Sequence, residues 1–584
     1  MEDTRGHWTG PQILRAKKAI ASLRYGAKAY QKSPLPPMME KNAQSSFNNG
    51  PVVTDNLGSW VKAGVMAGPF TQPPVKGFRA NCLLAVVQKD KVRLVQDMSR
   101  PQDASFNSNI DPLQLEKVSM SSARQFSYSL KDAGVGAFMS KFDMKDAYKL
   151  IPCHPKDYRL QGLQWLDRFF IDTKMIFGAS TAVANYDNFS RTVKDLALSQ
   201  CDIPGHLVHR TLDDVPAVSP AHKSWGQDFA ASYLATCQSL NIPLAQNCPK
   251  NEKAFVCQTK GRVLGIWFDS ASMSWSYPQD KLVPLLREIQ ATLSYGATNL
   301  KQLQSIMGKI NDVALMFPFL KAFRQPTNAL IASFKSNEDI SLPLTHRART
   351  DLAIMARAMA ASASGLPVVG RPSDPPIHHL KFTSDAAGAI MGTQNGVQVA
   401  VQDPLRRGVA SIGHLKEGDI WFSSRLFWPN SLLMEATDSK GSHYGCKSTT
   451  LEMVGLLLPF ISIPKVLAGQ HVVLQVDNIG ALFGWESRQV AGDISASILV
   501  RTLHLIEALL ACKIYVVHLP RCSSPEGTLV DLLSRQGSTT SREKKAIRGT
   551  EVSPKSRALV SWLHNPSEDW DLALKITSDV EKLL

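Results

Sequence analysis

The chain has 584 residues, of which 44% are hydrophobic, so it is a globular protein too long to form around one core. Its 65 lysines and arginines outnumber its 50 acidic residues, and the net charge of +15 favours a polyanionic partner, most simply nucleic acid. A soluble protein that is merely basic is the alternative. The nine cysteines show no CxxC spacing, which argues against a zinc site and indicates reduced thiols in a cytosolic or nuclear protein.

The sequence shows no pattern of membrane insertion. No signal peptide is evident at the N-terminus. The most apolar run, from Val454 to Ile463, is about half as long as a membrane-spanning helix and is closed by Pro464 and Lys465. We therefore expect no transmembrane segment and no membrane partner.

The first 50 residues join a basic stretch to a segment rich in Pro, Ser, Asn and Gly, SPLPPMMEKNAQSSFNNGP. The basic stretch could form a helix, but the composition as a whole predicts a flexible arm, either in contact with nucleic acid or simply solvated. The cations of the basic stretch are Arg15, Lys17, Lys18, Arg24 and Lys28.

Two strand-like runs, NCLLAVVQKD and KVRLVQDMS, are separated only by a charged turn. They predict a β-hairpin that carries Lys89, Lys91 and Arg93. Several cations on one hairpin suit the phosphates of a nucleoside triphosphate, and an exposed charged hairpin without a ligand is the alternative.

An aspartate ends a predicted buried strand in AFMSKFDMKDAYKLIPC. Phe138 and Phe142 fit the strand, and Asp143 lies where the strand should stop. Further along, HLVHRTLDDVPAV has Asp213 and Asp214 between two apolar arms. This second pattern predicts a β-hairpin with paired acids at its tip.

The acids of these two segments predict a metal site. Pro216 makes the second arm of the hairpin an edge strand, because proline cannot donate to a neighbouring strand. Three carboxylates brought together repel each other unless cations lie between them. Two divalent metal ions about 4 Å apart are the usual arrangement, and their chemistry is phosphoryl transfer.

After residue 278 the apolar period changes to about 3.6 residues, which predicts two amphipathic helices with Thr298 as the N-cap of the second. The cations Lys301, Lys309, Lys321 and Arg324 could follow a duplex backbone. The expected apolar stripes are Leu282, Leu286, Ile289 and Leu293, then Leu300, Leu303, Met307, Ile310 and Ala314.

The last third of the chain contains a second ordered series of acids. The strand-like segments HHLKFTSDAAG and HVVLQVDNIGAL carry Asp385 and Asp477, and the helix-like segments TTLEMVGLLLPFI and GTLVDLLSR carry Glu452 and Asp531. Four acids from two strands and two helices could hold another pair of metal ions and activate water against a phosphodiester. Four unrelated surface acids are the alternative.

The motifs FDMKDAY and LDD, in this order, resemble the catalytic core of reverse transcriptases from retrotransposons of the LTR and DIRS types. The DIRS type, which uses a tyrosine recombinase, is the nearest. The acid order Asp-Glu-Asp-Asp and the closing LVDLLSR resemble the RNase H domain of such elements. The resemblance covers roughly residues 55 to 536.

This resemblance implies a mixed α/β (α+β) fold, with a right-hand polymerase of fingers, palm and thumb followed by an RNase H-like α/β domain. The implied segments are a basic flexible N-terminal arm (1–50), fingers and palm (51–278), a helical thumb (279–345), a connection or linker (346–376), the RNase H domain (377–536) and a basic C-terminal tail (537–584).

The resemblance also implies roles for individual residues. The metal ligands, for two Mg²⁺ or Mn²⁺ per site, would be Asp143, Asp213 and Asp214 in the polymerase and Asp385, Glu452, Asp477 and Asp531 in the RNase H domain. Tyr148 would exclude the 2′-hydroxyl of a ribonucleotide. The other residues near the dNTP would be Lys89, Arg93, Phe177, Gly178 and Lys253, the last as a phosphate contact or general acid.

Four positions depart from the family pattern. Val183 stands where the family usually has proline, Thr211 where it has an aromatic residue, and Gly527 and Val530 where it has asparagine and alanine. Thr211 and Val183 keep open a domesticated nucleic-acid-binding scaffold without polymerisation, whereas Gly527 and Val530 affect only the support of Asp531. An RNA-directed RNA polymerase or a template-independent polymerase is disfavoured by Tyr148 and the attached RNase H segment.

The sequence therefore predicts a reverse transcriptase with RNase H activity. Its partners would be an RNA template, a DNA primer and the RNA–DNA hybrid, in the cytoplasm or the nucleus. The priming mechanism, the template and the oligomeric state stay open at this point.

Overall fold

The computed structural model describes residues 8–88, 91–245, 254–337, 339–361, 363, 365–367, 379–387, 390–394, 397–401, 407–414, 420–429, 448–490, 492–520, 524–535, 551–564 and 569–584. The expected mixed helix-and-sheet class is confirmed. The chain forms two compact units, one of Met1–Pro278 with Ser364–Arg371 and one of Gln279–Ala363 with Pro372–Leu584. Among the described helices, none is long and apolar enough to cross a membrane.

Several short sheets and the helices that cover them make up the first unit. Its helices are α1 (Gly10–Tyr25), α2 (Gln44–Asn48), α3 (Gly50–Lys62), α4 (Ala123–Ala133), α5 (Ser180–Leu198) and α6 (Trp225–Ser239). Its strands are β1 (Met38–Met39), β2 (Met66–Phe70), β3 (Arg79–Ala80), β4 (Cys82–Gln88), β5 (Lys91–Asp97), β6 (Phe138–Asp143), β7 (Gly162–Trp165), β8 (Arg168–Asp172), β9 (Asp214–Ser219), β10 (Phe255–Gln258), β11 (Lys260–Val263), β12 (Ile266–Asp269) and β13 (Ser274–Ser276), with β16 (Leu366–Pro367) returning from further along the chain.

The central sheet of the first unit has the order β10-β6-β9, so β9 is an edge strand, as Pro216 predicts. Alternate side chains of a strand face opposite sides. Phe142 points into the core, where its ring centroid lies 6.0 Å from that of Phe229 and 4.7 Å from that of Tyr233 on α6. Its neighbour Asp143 consequently points to the other face of the sheet.

The hairpin of β4 and β5 forms as predicted, with Val86 opposite Arg93. The other sheets of this unit have the orders β1-β3-β7-β8-β2 and β11-β12-β13-β16. The helix that the sequence predicts after Gly178 is α5, and Tyr186, Phe189 and Val193 are buried on it as core residues.

Residues 10–25 differ from the flexible arm expected from composition, because they form α1 and pack on α5. Arg15 donates to Asp195 of α5 at 2.7 Å, and Ala16 and Ala19 are buried between the helices. A Thr9 capping box with Gln12 starts the helix.

Helices dominate the first part of the second unit. Its helices are α7 (Gln279–Tyr295), α8 (Leu300–Val313), α9 (Gln325–Ser333), α10 (His346–Ala361), α11 (Ser448–Ser462), α12 (Pro464–Leu467), α13 (Ile479–Ser487), α14 (Ile494–Leu509), α15 (Pro525–Arg535), α16 (Arg557–His564) and α17 (Leu572–Glu581). Its strands are β14 (Ala297–Asn299), β15 (Ser341–Pro343), β17 (Leu380–Ala386), β18 (Ile390–Gln394), β19 (Val397–Val401), β20 (Gly408–His414), β21 (Ile420–Phe427), β22 (His471–Val476) and β23 (Lys513–His518).

The two amphipathic helices predicted after residue 278 are α7 and α8. The stripe expected on α8 is buried throughout, which confirms it. On α7 the buried side chains include Leu285 and Thr292 where Leu286 and Leu293 were expected. The N-cap of α8 is Asn299 and not Thr298, because the Asn299 side chain accepts from the backbone N–H of Gln302 at 2.9 Å.

A five-stranded sheet forms the centre of the second unit, in the order β21-β20-β17-β22-β23. Strands β17, β22 and β23 are parallel, and β20 and β21 continue antiparallel. Helix α11 is buried along its whole length from Thr450 to Ser462, so the apolar run noted in the sequence is a core helix.

The end of the chain is part of the same core. Leu559 and Trp562 of α16 and Ile576 and Val580 of α17 are buried in the cluster that contains α11 and α14. The resemblance implied a basic tail over residues 537–584, whereas the structure has two packed helices there. The basic run from Arg542 to Arg548 lies outside the described residues.

Candidate active sites

The strand pairing of β6 and β9 sets the position of the first group of acids. Asp143 lies directly opposite Asp214 in the antiparallel register, and the backbone N–H of Met144 donates to the carbonyl of Asp213 at 3.1 Å. Residues opposite each other in such a pair have Cβ atoms about 5 Å apart and point to the same face. The strands therefore bring the end of the FDMKDAY strand to the LDD segment.

The predicted hairpin with acids at its tip is confirmed. Thr211 and Asp214 exchange two backbone hydrogen bonds, of 2.8 and 3.1 Å, around a two-residue turn. Leu212 takes the left-handed conformation there, with φ of 55°. This turn holds Asp213 beside Asp214 and leaves the Thr211 hydroxyl to donate to the carbonyl of Ser121 at 2.6 Å.

The residues just before the turn point away from the acids. Arg210 pairs with the buried Asp187 of α5, and a ring nitrogen of His209 is 2.8 Å from the Ser129 hydroxyl. Both side chains are buried.

A lysine that sequence reasoning missed lies among the acids. Lys141 stands two residues before Asp143 on the same face, and its Nζ is 3.3 Å from Oδ1 of Asp214. Burial raises the pKa of Asp214 to about 6, with a further rise from Asp213 and Asp143 and an opposing effect from Lys141. In the described part of the chain, no choice of one carboxylate oxygen from each of these three aspartates places all three within 4.8 Å of one another. A divalent cation between them would relieve their mutual repulsion.

These acids form part of the floor of a cavity of about 910 Å³. Arg93 on β5, which is exposed, and Phe177 line its walls. The cavity thus combines carboxylates, a cation and an aromatic ring, a set of groups that suits a charged ligand with a flat ring. Lys89 and Lys253, the other predicted phosphate contacts, lie outside the described residues.

Tyr148 belongs to an aromatic cluster at the edge of this site. Its ring is 4.8 Å from that of Phe177 and 5.5 Å from that of Tyr186, both edge to face. Burial raises the pKa of Tyr148, and the charge of Asp213 adds to the rise. The structure thus brings Tyr148, Phe177 and the acids together.

Gly178 is required by a close backbone approach. Its φ is +113°, and a Cβ at this position would lie 2.0 Å from the carbonyl oxygen of Gln96 on β5. Asn107, which sequence reasoning missed, fixes this turn: its amide donates to the carbonyl of Gly178 at 2.8 Å and accepts from the N–H of Ser180 at 2.9 Å.

A buried ion pair in the cavity wall was also missed. Lys149 contacts Asp172, and Gln96 donates to the same carboxylate at 2.6 Å. The ammonium of Lys149 lies 4.3 Å from the ring centroid of Trp60. The four residues belong to separate segments, so no local sequence pattern indicates the contact.

The second group of acids is gathered more tightly. Asp385, Glu452 and Asp477 each place a carboxylate oxygen within 4.8 Å of the others. Strands β17 and β22 pair in parallel with Thr383 opposite Gln475, so their last residues reach the same edge of the sheet. The structure thus brings these acids together, and their all-oxygen donor set fits Mg²⁺ or Mn²⁺.

Asp531 lies beside this triad on α15. It lines the same small cavity as Asp385 and Asp477, and Nη2 of Arg535 lies 2.5 Å from its Oδ1. Ser534, missed from the sequence, is buried and donates to Oδ2 of Asp385 at 2.6 Å. Gly527 and Val530 contribute to the same cavity.

No protein-family model and no curated protein matches the chain. The chain is similar to the solved structure of the foamy viral protease-reverse transcriptase dRH with double-stranded DNA, at 12% identity and a TM-score of 0.45, over 88% of this chain and 80% of that one. The foamy viral protease-reverse transcriptase with an RNA/DNA hybrid is 12% identical, with a TM-score of 0.46, over 92% of this chain and 63% of that one. The same enzyme with double-stranded DNA is 11% identical, with a TM-score of 0.42, over 88% of this chain and 94% of that one. These are likenesses of fold.

Proposed function

We propose that this chain is an RNA-directed DNA polymerase that also degrades the RNA strand of an RNA–DNA hybrid. The observation that carries the proposal is the β6–β9 register, which sets Asp143 opposite Asp214, with Asp213 at the adjoining turn, in a 910 Å³ cavity. The second acid cluster on the β17–β22 edge supports the nuclease activity. The net charge of +15 suits a nucleic-acid substrate.

In the first centre the three aspartates would hold two Mg²⁺ ions or, alternatively, Mn²⁺. Such ions, when bound, lower the pKa of the attacking primer hydroxyl and neutralise the triphosphate and the leaving pyrophosphate. Arg93 on the β-hairpin, which lines the same cavity, would bind the triphosphate. Tyr148, held by Phe177 and Tyr186, occupies the space of a 2′-hydroxyl and selects deoxynucleotides.

In the second centre the ligands would be Asp385, Glu452, Asp477 and Asp531. These carboxylates would hold metal ions, which when bound activate a water against an RNA phosphodiester. Ser534 holds Asp385 in place by its hydrogen bond, and the Arg535 contact must loosen for Asp531 to join the ligands.

We infer further that the chain comes from a retrotransposon of the DIRS or a related LTR type, on the strength of FDMKDAY, LDD and LVDLLSR. Its partners would be an RNA template, a DNA primer and their hybrid, in the cytoplasm or nucleus.

The test is primer extension on an RNA template with dNTPs and Mg²⁺, beside cleavage of a labelled RNA–DNA hybrid. Asp213→Asn should reduce extension by at least about 100-fold and leave cleavage unchanged, and Asp477→Asn should do the reverse. Hybrid binding without extension or cleavage by the parent chain would favour the domesticated scaffold. Extension that is equal in the parent and in Asp213→Asn would contradict the proposal.

A further inference from the structure

The first unit contains a second cavity, of about 470 Å³, between α1 and α5. One wall is a single face of α1, on which Lys18, Ala21, Ser22 and Tyr25 follow helical spacing. The facing wall is the first half of α5, including Asn185 and Asn188. The proposed polymerase chemistry uses none of these residues.

This cavity is formed by the way α1 is anchored. The Arg15–Asp195 contact joins the start of α1 to the end of α5, so the helices run antiparallel, and Ala16 is buried between them. Towards the other end of α1, the small side chains of Ala21 and Ser22 leave the space open. A gap between two helices that is fixed at one end persists when no ligand is bound.

The floor of the cavity is also fixed. Gly26 ends α1 with φ of +86°, and a Cβ there would lie 2.4 Å from the carbonyl oxygen of Cys153. Backbone hydrogen bonds of 2.8 and 2.9 Å join Ala27 to Pro152 and to His154. Lys28 and His154, which line the cavity, are therefore held by paired backbone.

The lining has the chemistry of a single-stranded nucleic-acid site. Tyr25 is 63% exposed at the rim, and Lys28 is exposed beside it, without an acidic partner within 4 Å among the described residues. Glu116 is the lining acid, and it is neutralised by its contact with Lys18. Cations track the phosphates of an unpaired strand, and exposed rings stack on its bases. The amide of Asn188, which is 9% exposed, adds a buried polar group.

The cavity is separated from the polymerase acids by one helix. Tyr186 of α5 points to the catalytic side, where its hydroxyl is 2.9 Å from Sδ of Met144, the neighbour of Asp143. Asn185 and Asn188 lie on the other side of the same turn of α5. An α-helix is about 10 Å across, so a strand leaving the catalytic cavity needs only a few nucleotides to reach this space.

We propose that the α1–α5 cavity binds unpaired nucleotides of the template strand, ahead of the base that is being copied. The assignment of the strand to the template ahead of the copied base rests on the proposed polymerase function. The binding of a single strand in this cavity does not depend on that function. An RNA and a DNA template share this chemistry of phosphates and stacked bases, and separate arms of the test distinguish them.

The first experiment measures the affinity of the full chain for a primer–template with a blunt end and for one with a six-nucleotide 5′ template overhang. The overhang should tighten binding about tenfold, and the double variant Tyr25→Ala with Lys28→Ala should remove most of that gain. The affinity of the double variant should also depend less on salt concentration, by the contribution of about one phosphate contact. The matched control is Tyr295→Ala with Lys131→Ala, which removes another exposed tyrosine and lysine. An equal loss of affinity for both substrates would overturn the proposal.

The second experiment locates the strand directly. A photoreactive pyrimidine is placed at single positions of the RNA or DNA overhang, and the cross-linked peptide is identified. We expect adducts in the peptide that contains Tyr25 from overhang positions, in the parent chain and in Asp213→Asn alike. Adducts at Tyr25 only from duplex positions, or none, would overturn the site. Adducts without primer extension would retain the site and remove the polymerase function.

Discussion

Gly178 shows how one residue without a side chain shapes the cavity that contains the three aspartates. Gly178→Ala should destabilise the first unit and raise the KM for dNTPs, because a Cβ would meet the Gln96 carbonyl at 2.0 Å. Gly64→Ala is the matched control: its φ is +68°, with nothing within 4 Å of a built Cβ, so it should cost only about 1 kcal/mol. Urea unfolding and primer extension measure both effects. Equal losses in the two variants would contradict the close approach.

The Lys149–Asp172 pair predicts a second effect at this scale. Asp172 is 1% exposed, so Asp172→Asn should cost about 3–5 kcal/mol by leaving the Lys149 ammonium buried without its counter-charge. The double variant Lys149→Met with Asp172→Leu should recover most of this loss, because it removes both charges. Urea unfolding measures each free energy.

Asp167→Asn is the control, since its pair with Arg168 is exposed and should contribute less than about 1 kcal/mol. A double variant as unstable as Asp172→Asn would show that the buried ion pair does not account for the loss.

The acids at strand ends could be predicted from the sequence, whereas the contacts around them could not. Asp143 and the Asp213–Asp214 turn follow from local apolar patterns, and their pairing follows from the family motif order. Lys141 beside Asp214 depends on the register of two strands far apart in sequence. Asn107 at the Gly178 turn depends on tertiary packing in the same way.

At the scale of elements, apolar periodicity located helices better than it located their buried faces. The α8 stripe was predicted correctly because its apolar residues fill one face. On α7, apolar residues cover two adjoining faces, and the helix packs on α10, which was not predicted. The packing of α1 was not predicted, because the helix buries small alanines while Ile13 and Ile20 stay exposed.

The packing of α14 against α13 predicts a pH dependence. His504 is 3% exposed, and its ring stacks on that of Trp485 with the centroids 4.2 Å apart. Burial lowers the pKa of His504; Arg488 and Lys513 lower it further, and Glu507 raises it. Unfolded chains protonate histidine near pH 6.5, so below that pH the unfolded state binds more protons than the folded state. This histidine therefore lowers the free energy of unfolding as the pH drops from 7 towards 5, whereas Asp351 of the same unit, whose pKa burial raises to about 7, acts in the opposite direction.

Guanidinium unfolding at several pH values measures this slope, which is at most about 1.4 kcal/mol per pH unit for one group. His504→Phe keeps a ring against Trp485 but cannot titrate, so it should flatten the slope. The control is His471→Phe at an exposed ring stacked on Tyr515. A slope that His504→Phe leaves unchanged would assign the pH dependence to other groups.

At the scale of the whole molecule, the end of the chain completes the core of the second unit. Composition suggested a tail here because the basic run separates these residues from the preceding helix and dilutes their apolar pattern. The structure instead packs α17 on α14, and Trp570 covers the buried Arg501 with its guanidinium carbon 3.9 Å from the ring centroid. Trp570 and Arg501 are far apart in the sequence, so no local pattern predicts this contact.

The Trp570 contact yields the last prediction. Trp570→Ala should destabilise the second unit by about 3–5 kcal/mol, because it removes a buried ring, the cation–π contact with Arg501 and the 2.9 Å hydrogen bond from Nε1 to Asp351. Trp570→Phe keeps a ring and should lose only about 1–3 kcal/mol. A chain shortened to end at residue 556 should expose the core around α14 to protease. Primer extension by the shortened chain measures whether the first unit stays folded. Full protease resistance of the shortened chain would show that α16 and α17 are dispensable, contrary to their burial.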